Sequence, residues 1–226
     1  MELKCAVLEY NIEDDLPLSF GRKLRGYFAH RFEDELFHHH TESGELRYAY
    51  PLIQYKIVRG NPLIIGLGEA CEILAHSFIE VEELKLGDKK YEKPQGNLKV
   101  NNYNLSVKED QAMPEFKYEF ITPWLGLNQE NYRKYREDIG EARGKEIKKF
   151  LAKIMVGNIL SFGKGVGWWI ENNIIIMPKF KKVEVTFKGK EMLGFVGEFF
   201  TNAKLPDYIG LGQATSRGFG TIIKRD

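Results

Sequence analysis

Residues 47–65 read Arg-Tyr-Ala-Tyr-Pro-Leu-Ile-Gln-Tyr-Lys-Ile-Val-Arg-Gly-Asn-Pro-Leu-Ile-Ile. Successive side chains of an extended chain point to opposite faces. Ala49, Pro51, Ile53, Tyr55 and Ile57 therefore share one face, and Tyr48, Tyr50, Leu52, Gln54 and Lys56 the other. Gly60-Asn61-Pro62 is a turn, and Leu63-Ile64-Ile65 is a short apolar run that suits a buried strand. Two successive strands thus occupy this segment, and the elements flanking them decide the fold.

Upstream, Phe20, Leu24, Phe28 and Phe32 recur every four residues with Tyr27 alongside, which predicts a helix from about Ser19 to Phe32. Arg22, Lys23 and Arg25 fall away from that apolar stripe. Before it, residues 3–10 are apolar on both faces and read as a buried strand. Downstream, Ala70, Ile73, Leu74, Phe78 and Val81 mark a helix from Glu69 to about Leu84. Residues 85–127 read as strands and turns, at Leu98–Val100, Leu105–Val107 and Phe116–Ile121. The order strand, helix, strand, strand, helix, strand is the split βαβ or ferredoxin-like plan.

The second half opens with a polar, highly charged run from Asn128 to Gly144. Ile147, Leu151, Ile154 and Ile159 then mark a helix over residues 145–162, with Lys148, Lys149 and Lys153 near its opposite side. Gly163-Lys164-Gly165-Val166-Gly167 breaks it, and Ile174–Met177, Lys182–Phe187 and Phe195–Phe200 read as strands. The expected fold class is α+β, with two tandem ferredoxin-like (RRM-like) domains built on antiparallel sheets. Residues 1–127 form the first domain and residues 128–226 a second, less regular one.

Composition bounds the function. A hydrophobic fraction of 43% can fill a core, and no apolar run reaches the length of a membrane-spanning helix. The first ten residues mix charges and alternate like a strand rather than a signal peptide, so a soluble cytoplasmic protein is expected. Cys5 and Cys71 match no metal or redox spacing and read as small core residues. The three tryptophans, Trp124, Trp168 and Trp169, likewise read as core rather than as platforms for stacked bases. The net charge of +1 hides an asymmetry: residues 131–226 hold 18 Lys+Arg against 10 Asp+Glu, whereas residues 1–130 hold 15 against 22. A polyanion would be drawn to the second half.

That half ends in Leu205-Pro-Asp-Tyr-Ile-Gly210-Leu-Gly212-Gln-Ala-Thr-Ser216-Arg217-Gly218-Phe-Gly220. Exposed amides of a glycine-rich loop can cradle an anion, Ser216 can donate a hydroxyl, and Arg217 can grip a phosphate with two parallel bonds. The plainer reading is a glycine-rich hairpin at a sheet's end. The pattern G-L-G-x-x-x-S-R-G-F-G near the C-terminus resembles the glycine-rich loop of the RAMP proteins of CRISPR systems. It is most similar to the Cas-six family, which cuts the precursor CRISPR transcript. The stretches Phe195–Gly210 and Phe37–Tyr55 fit the same family, in a form resembling its b-type branch.

The resemblance implies two side-by-side ferredoxin-like domains, a repeat-RNA substrate, a role in antiviral defence and a catalytic histidine after the first helix. The only histidine cluster is His38-His39-His40. Imidazole exchanges protons near neutrality, and in an extended segment His38 and His40 share a side. His40 is expected as the principal general base or acid, with His38 as partner and Tyr48 or Tyr50 as hydrogen-bond donor to the phosphate or orienter of a histidine. The other readings of the triplet are a solvated loop or an adventitious metal site. RNA contacts are expected from Gly210, Gly212, Ser216, Arg217, Gly218, Gly220, Lys148, Lys149, Arg22 and Arg25. No metal or other cofactor is expected. The expected reaction is metal-independent cleavage of CRISPR repeat RNA to 2′,3′-cyclic phosphate and 5′-hydroxyl ends. The rival is a non-catalytic RNA-binding subunit of a CRISPR effector complex on the same fold. A homodimer and association with such a complex complete the partners that the resemblance implies.

Overall fold

The computed structural model describes residues 1–32, 36, 50–109, 114–139 and 144–226. The chain packs as two units. One comprises Met1–Asn104 with Thr215–Gly218, the other Leu105–Ala214 with Phe219–Asp226.

In the first unit, β1 (Glu2–Asn11) is followed by α1 (Phe20–Arg31), β2 (Ile53–Val58), β3 (Asn61–Leu67) and α2 (Ala70–Glu80). A small hairpin, β4 (Glu83–Leu86) and β5 (Lys89–Glu92), precedes β6 (Gln95–Asn104). The antiparallel sheet has the order β2-β3-β1-β6, the arrangement of the ferredoxin-like plan. Ala6, Leu8 and Tyr10 of β1 and Ile53, Tyr55 and Ile57 of β2 share one core with Leu24 and Phe28 of α1 and with Ala70, Cys71 and Leu74 of α2. The four-residue spacing of α1 places Leu24 and Phe28 at full burial, with Phe20 and Phe32 packed at the edge. Both cysteines are free and buried. α2 ends at Glu80 rather than near Leu84, because Leu84 and Leu86 alternate into the core from β4.

The second unit contains β7 (Ser106–Val107), β8 (Phe116–Trp124), α3 (Gln129–Lys134), α4 (Gly144–Gly165), β9 (Ile176–Phe187), β10 (Lys190–Thr201), β11 (Ala203–Lys204) and β12 (Ile222–Arg225). A single π-helical turn, Tyr135–Ile139, follows α3. Its antiparallel sheet has the order β12-β8-β10-β9, the same plan. The glycine-rich loop between β10 and β12 stands where the plan's second helix would be, which makes this unit poorer in helix. The sequence reading placed the break between domains after residue 127. Strand β8 pairs with β10 and β12, so residues 116–124 belong to the second sheet and the boundary falls after Asn104.

β9 and β10 form one long hairpin closed by Lys188 and Gly189, at φ +52° and +73°. Two positive φ values match the strand twist in a two-residue turn. β9 is an edge strand, where Pro178 costs no ladder bond that a central strand would need. An aromatic cluster of Tyr118, Phe120, Trp124, Phe180, Phe195 and Phe199 fills the core, with Phe120 and Trp124 stacked at 5.7 Å. Leu151, Met155, Ile159 and Phe162 form the buried stripe of α4. Trp124 and Trp168 are core residues as expected, but Trp169 is 85% exposed. The chain turns at Gly167, φ +74°, and adjacent residues then face opposite ways. Among the described residues, no helix is long and apolar enough to cross a membrane.

Candidate nucleic-acid interface

The Ser216-Arg217 pair lies in a short 3₁₀ turn, Thr215–Arg217, closed by the Gly218 amide donating to the Thr215 carbonyl at 3.2 Å. This turn packs on α1 and β2 of the first unit. Glycine stands on both sides of the contact. A Cβ on Gly21 of α1 would lie 2.8 Å from the Arg217 carbonyl oxygen and 3.2 Å from that of Tyr55. Gly218, at φ +91°, approaches the Lys56 Cα and the Tyr55 carbonyl so closely that its own Cβ would stand 3.1 Å from each. Few side chains are tolerated at such a φ, and none fits these gaps without displacement.

The seating gathers charge of one sign. Arg22 is exposed, and Arg25 and Arg217 are half-buried. The Arg25 guanidinium is held below its ordinary pKa chiefly by burial and then by Arg217; Arg217 is lowered by burial and then by Arg22. Arg22 and Arg25 make no ion pair with any described carboxylate. Arg217 thus feels like charge from Arg22 and imposes it on Arg25, and a phosphate placed there would relieve that repulsion.

Lys56, whose Cα borders Gly218, is fully buried. Its ammonium donates to Gln54 Oε1 at 2.9 Å, and the Gln54 amide in turn donates to the Pro51 carbonyl at 3.1 Å. Burial lowers the Lys56 pKa to about 7. The alternation of residues 47–58 placed Gln54 and Lys56 on one face; it gave no sign that this face is covered.

The remainder of the glycine motif is built into the second unit. Gly210 bridges to Thr221. The amides of Leu211, Gln213 and Gly220 donate to the carbonyls of Gly220, Leu125 and Pro123 at 2.9, 2.9 and 2.8 Å. These amides, and that of Gly218, are used inside the protein, and Gly210, Gly218 and Gly220 are buried. The sequence reading made all four glycines part of a backbone clamp. Gly212, Gly218 and Gly220 all serve close packing, while Gly212, Ser216 and Arg217 remain partly exposed.

Lys148 and Lys149 are exposed on α4 of the second unit. Tyr50 is half-buried at the approach to β2. His38, His40 and Tyr48 lie outside the described residues. Of the remaining histidines, His30 on α1 and His76 on α2 are both exposed. Among the described residues, no cluster of three or more His, Cys, Asp or Glu could hold a metal ion.

Residues 1–104 match the Cas6b N-terminal domain, and residues 111–225 match the Cas6b C-terminal domain. The chain belongs to the Cas6b family. A crystal structure of Cas6b is 34% identical to it, with full coverage of both chains and a TM-score of 0.88. A second crystal structure, of the CRISPR RNA processing endoribonuclease Cas6b, is 33% identical with full coverage of both and a TM-score of 0.74. The uncharacterized protein MJ0978 of Methanocaldococcus jannaschii is 36% identical over 148 residues, 65% of this chain and 95% of that protein. The Cas6b N-terminal match ends at residue 104, where the continuous part of the first structural unit also ends. In this Cas6b chain the arginines singled out from sequence on α1 and on the glycine loop are thus members of one cluster, although 192 positions separate Arg25 from Arg217.

Proposed function

We propose that this Cas6b-family endoribonuclease cleaves CRISPR repeat RNA by attack of a ribose 2′-hydroxyl on its own 3′ phosphodiester. The new bond closes a 2′,3′-cyclic phosphate while the 5′-oxygen leaves. A base takes the 2′ proton and an acid gives one to the departing oxygen. His40 is the principal proton-transfer group, His38 its partner, and Tyr48 or Tyr50 the donor that orients the phosphate or a histidine.

The reaction needs no metal ion, because the nucleophile is already tethered beside its target. Such placement is worth effective molarities on the order of 10⁵ M or more. Proton transfer by positioned side chains typically adds roughly 10²–10⁴-fold per group, and donors aimed at the phosphate stabilise its growing charge. The observation that carries this reading is the cluster of Arg22 and Arg25 of α1 with Arg217 of the turn that packs on it; in the chain, the histidine triplet follows α1. Such a cluster would grip a phosphate of the RNA whose ribose the proton-transfer groups serve.

The test is incubation of the protein with repeat RNA in EDTA, with analysis of the product ends. Cleavage that persists and leaves a cyclic phosphate supports the proposal, and His40→Ala should then abolish cutting with RNA affinity kept within a few-fold. Tight binding with no cleavage by the unaltered protein would assign it instead to the non-catalytic RNA-binding class. Normal cutting by His40→Ala would remove the histidine from the mechanism.

A further inference from the structure

The second unit carries an open cleft of about 560 Å³ between the start of α3, the middle of α4 and the glycine-rich loop at Gly212 and Gln213. This volume falls within the range of small-ligand sites. Two side-chain amides in its lining are fixed by the protein. Trp124 Nε1 donates to Asn158 Oδ1 at 2.9 Å, and Gln213 Nε2 donates to the Leu127 carbonyl at 2.6 Å. Each bond fixes which end of the amide faces the protein. Asn158 keeps its Nδ2 donor and Gln213 its Oε1 acceptor, one of each kind in one cleft.

Gly212 preserves this arrangement. It stands at φ +94°, and a Cβ there would lie 2.7 Å from Trp124 Nε1, at the hydrogen bond that orients Asn158. Gly157 lies on the same cleft. It sits in the interior of the 22-residue α4, where glycine is costly to a helix. A Cβ at Gly157 would meet nothing within 4 Å, so the packing of this fold gives no reason for glycine. Gly157 is exposed, and a side chain there would project over the cleft that it lines.

The rest of the lining suits a nucleotide. Phe150 contributes an aromatic ring. Lys134 and Lys153 contribute ammonium groups that make no ion pair with any described carboxylate, against one acid, Glu130. Every nucleobase presents a donor beside an acceptor on its pairing edge, and an unstacked base of single-stranded RNA is read through that edge and by aromatic stacking.

We propose that this cleft is a nucleobase pocket that takes one unstacked base of the bound RNA, pairing its edge with Asn158 and Gln213 and leaving its phosphates to Lys134 and Lys153. The inference rests on the repeat-RNA reading above and adds to it a base-recognition site built from residues other than His38, His40, Tyr48 and Tyr50.

The experiment measures affinity for repeat RNA in which each nucleotide in turn is made abasic. One position should cost the unaltered protein about tenfold, the scale of a stacked and hydrogen-bonded base. Asn158→Asp keeps the acceptor for Trp124 and replaces the donor; it should weaken intact RNA by a similar factor and show no further loss at that position. Gly157→Leu should project over the cleft and weaken RNA binding, while Gly157→Ala should raise the melting temperature of the free protein. Unchanged affinity in Gly157→Leu, or an abasic penalty undiminished in Asn158→Asp, would overturn the pocket while RNA binding itself stands. Failure of the unaltered protein to bind repeat RNA would overturn the pocket and the proposed function together.

Discussion

The carbonyl oxygen of Arg217 occupies the place where a side chain on Gly21 would begin, at 2.8 Å from the position of its Cβ. A residue near the end of the chain is thereby seated on the first helix, with its guanidinium beside Arg22 and Arg25. The arginine cluster depends on this contact.

Gly21→Ala should therefore displace the turn. The obstructing atoms are backbone carbonyls of Arg217 and Tyr55, which cannot swing aside like a side-chain tip. Overpacking of this kind costs typically about 1–3 kcal/mol. Chemical denaturation should register that loss, and RNA affinity should fall in the same variant although no charge has been removed.

Arg217→Gln removes a charge without removing the seat. RNA binding should weaken by roughly tenfold or more, the scale of a charge-assisted hydrogen bond. The slope of log affinity against log salt should become shallower by about 0.7 if one single-strand phosphate contact is lost. An unchanged slope would mean that Arg217 does not meet the RNA backbone.

Lys56 should impose a pH dependence on folding. Its pKa is about 7 in the folded protein against an ordinary 10.5. Between those values the unfolded chain binds more protons, so this residue makes stability rise with pH from about 7 upward. Below about pH 7 both states hold the proton and its contribution is level. In Lys56→Met that part of the slope should vanish, and stability near pH 7 should increase by on the order of 1–4 kcal/mol. Urea titrations of both proteins at pH 6, 8 and 9.5 would reveal it as a difference that narrows with rising pH.

Asn158→Leu should destabilise the second unit. It leaves the indole N–H of fully buried Trp124 without its acceptor, and an unsatisfied buried donor costs about 1–3 kcal/mol. Asn158→Asp keeps an acceptor in place and should melt closer to the unaltered protein. Thermal melts of the pair separate the structural role of Oδ1 from the binding role assigned to Nδ2.

Much of this was legible in the chain. The period-four aromatics of α1, the alternation around Ile53–Val58 and the run of elements on either side specify a ferredoxin-like unit, because burial of one face imposes a strict repeat on the residues that form it. The glycine motif and the flanking stretches pointed to the family. The division at Asn104 was less visible: an alternating strand such as β8 shows that it has a buried face, not which sheet it joins. The cover over Lys56 was invisible for a related reason, since a strand with one polar face reads as half-exposed.

Sequence alone determined the local repeats, the composition of the cores and the presence of arginine on both α1 and the glycine loop, since each of these is written in neighbouring residues. Tertiary structure alone decided that Arg217 joins Arg22 and Arg25, that Gly21 and Gly218 are spacers between backbones, and that Gly157, Asn158 and Gln213 line one cleft. Those outcomes depend on distances between residues far apart in the chain, and such distances are fixed only when whole elements pack.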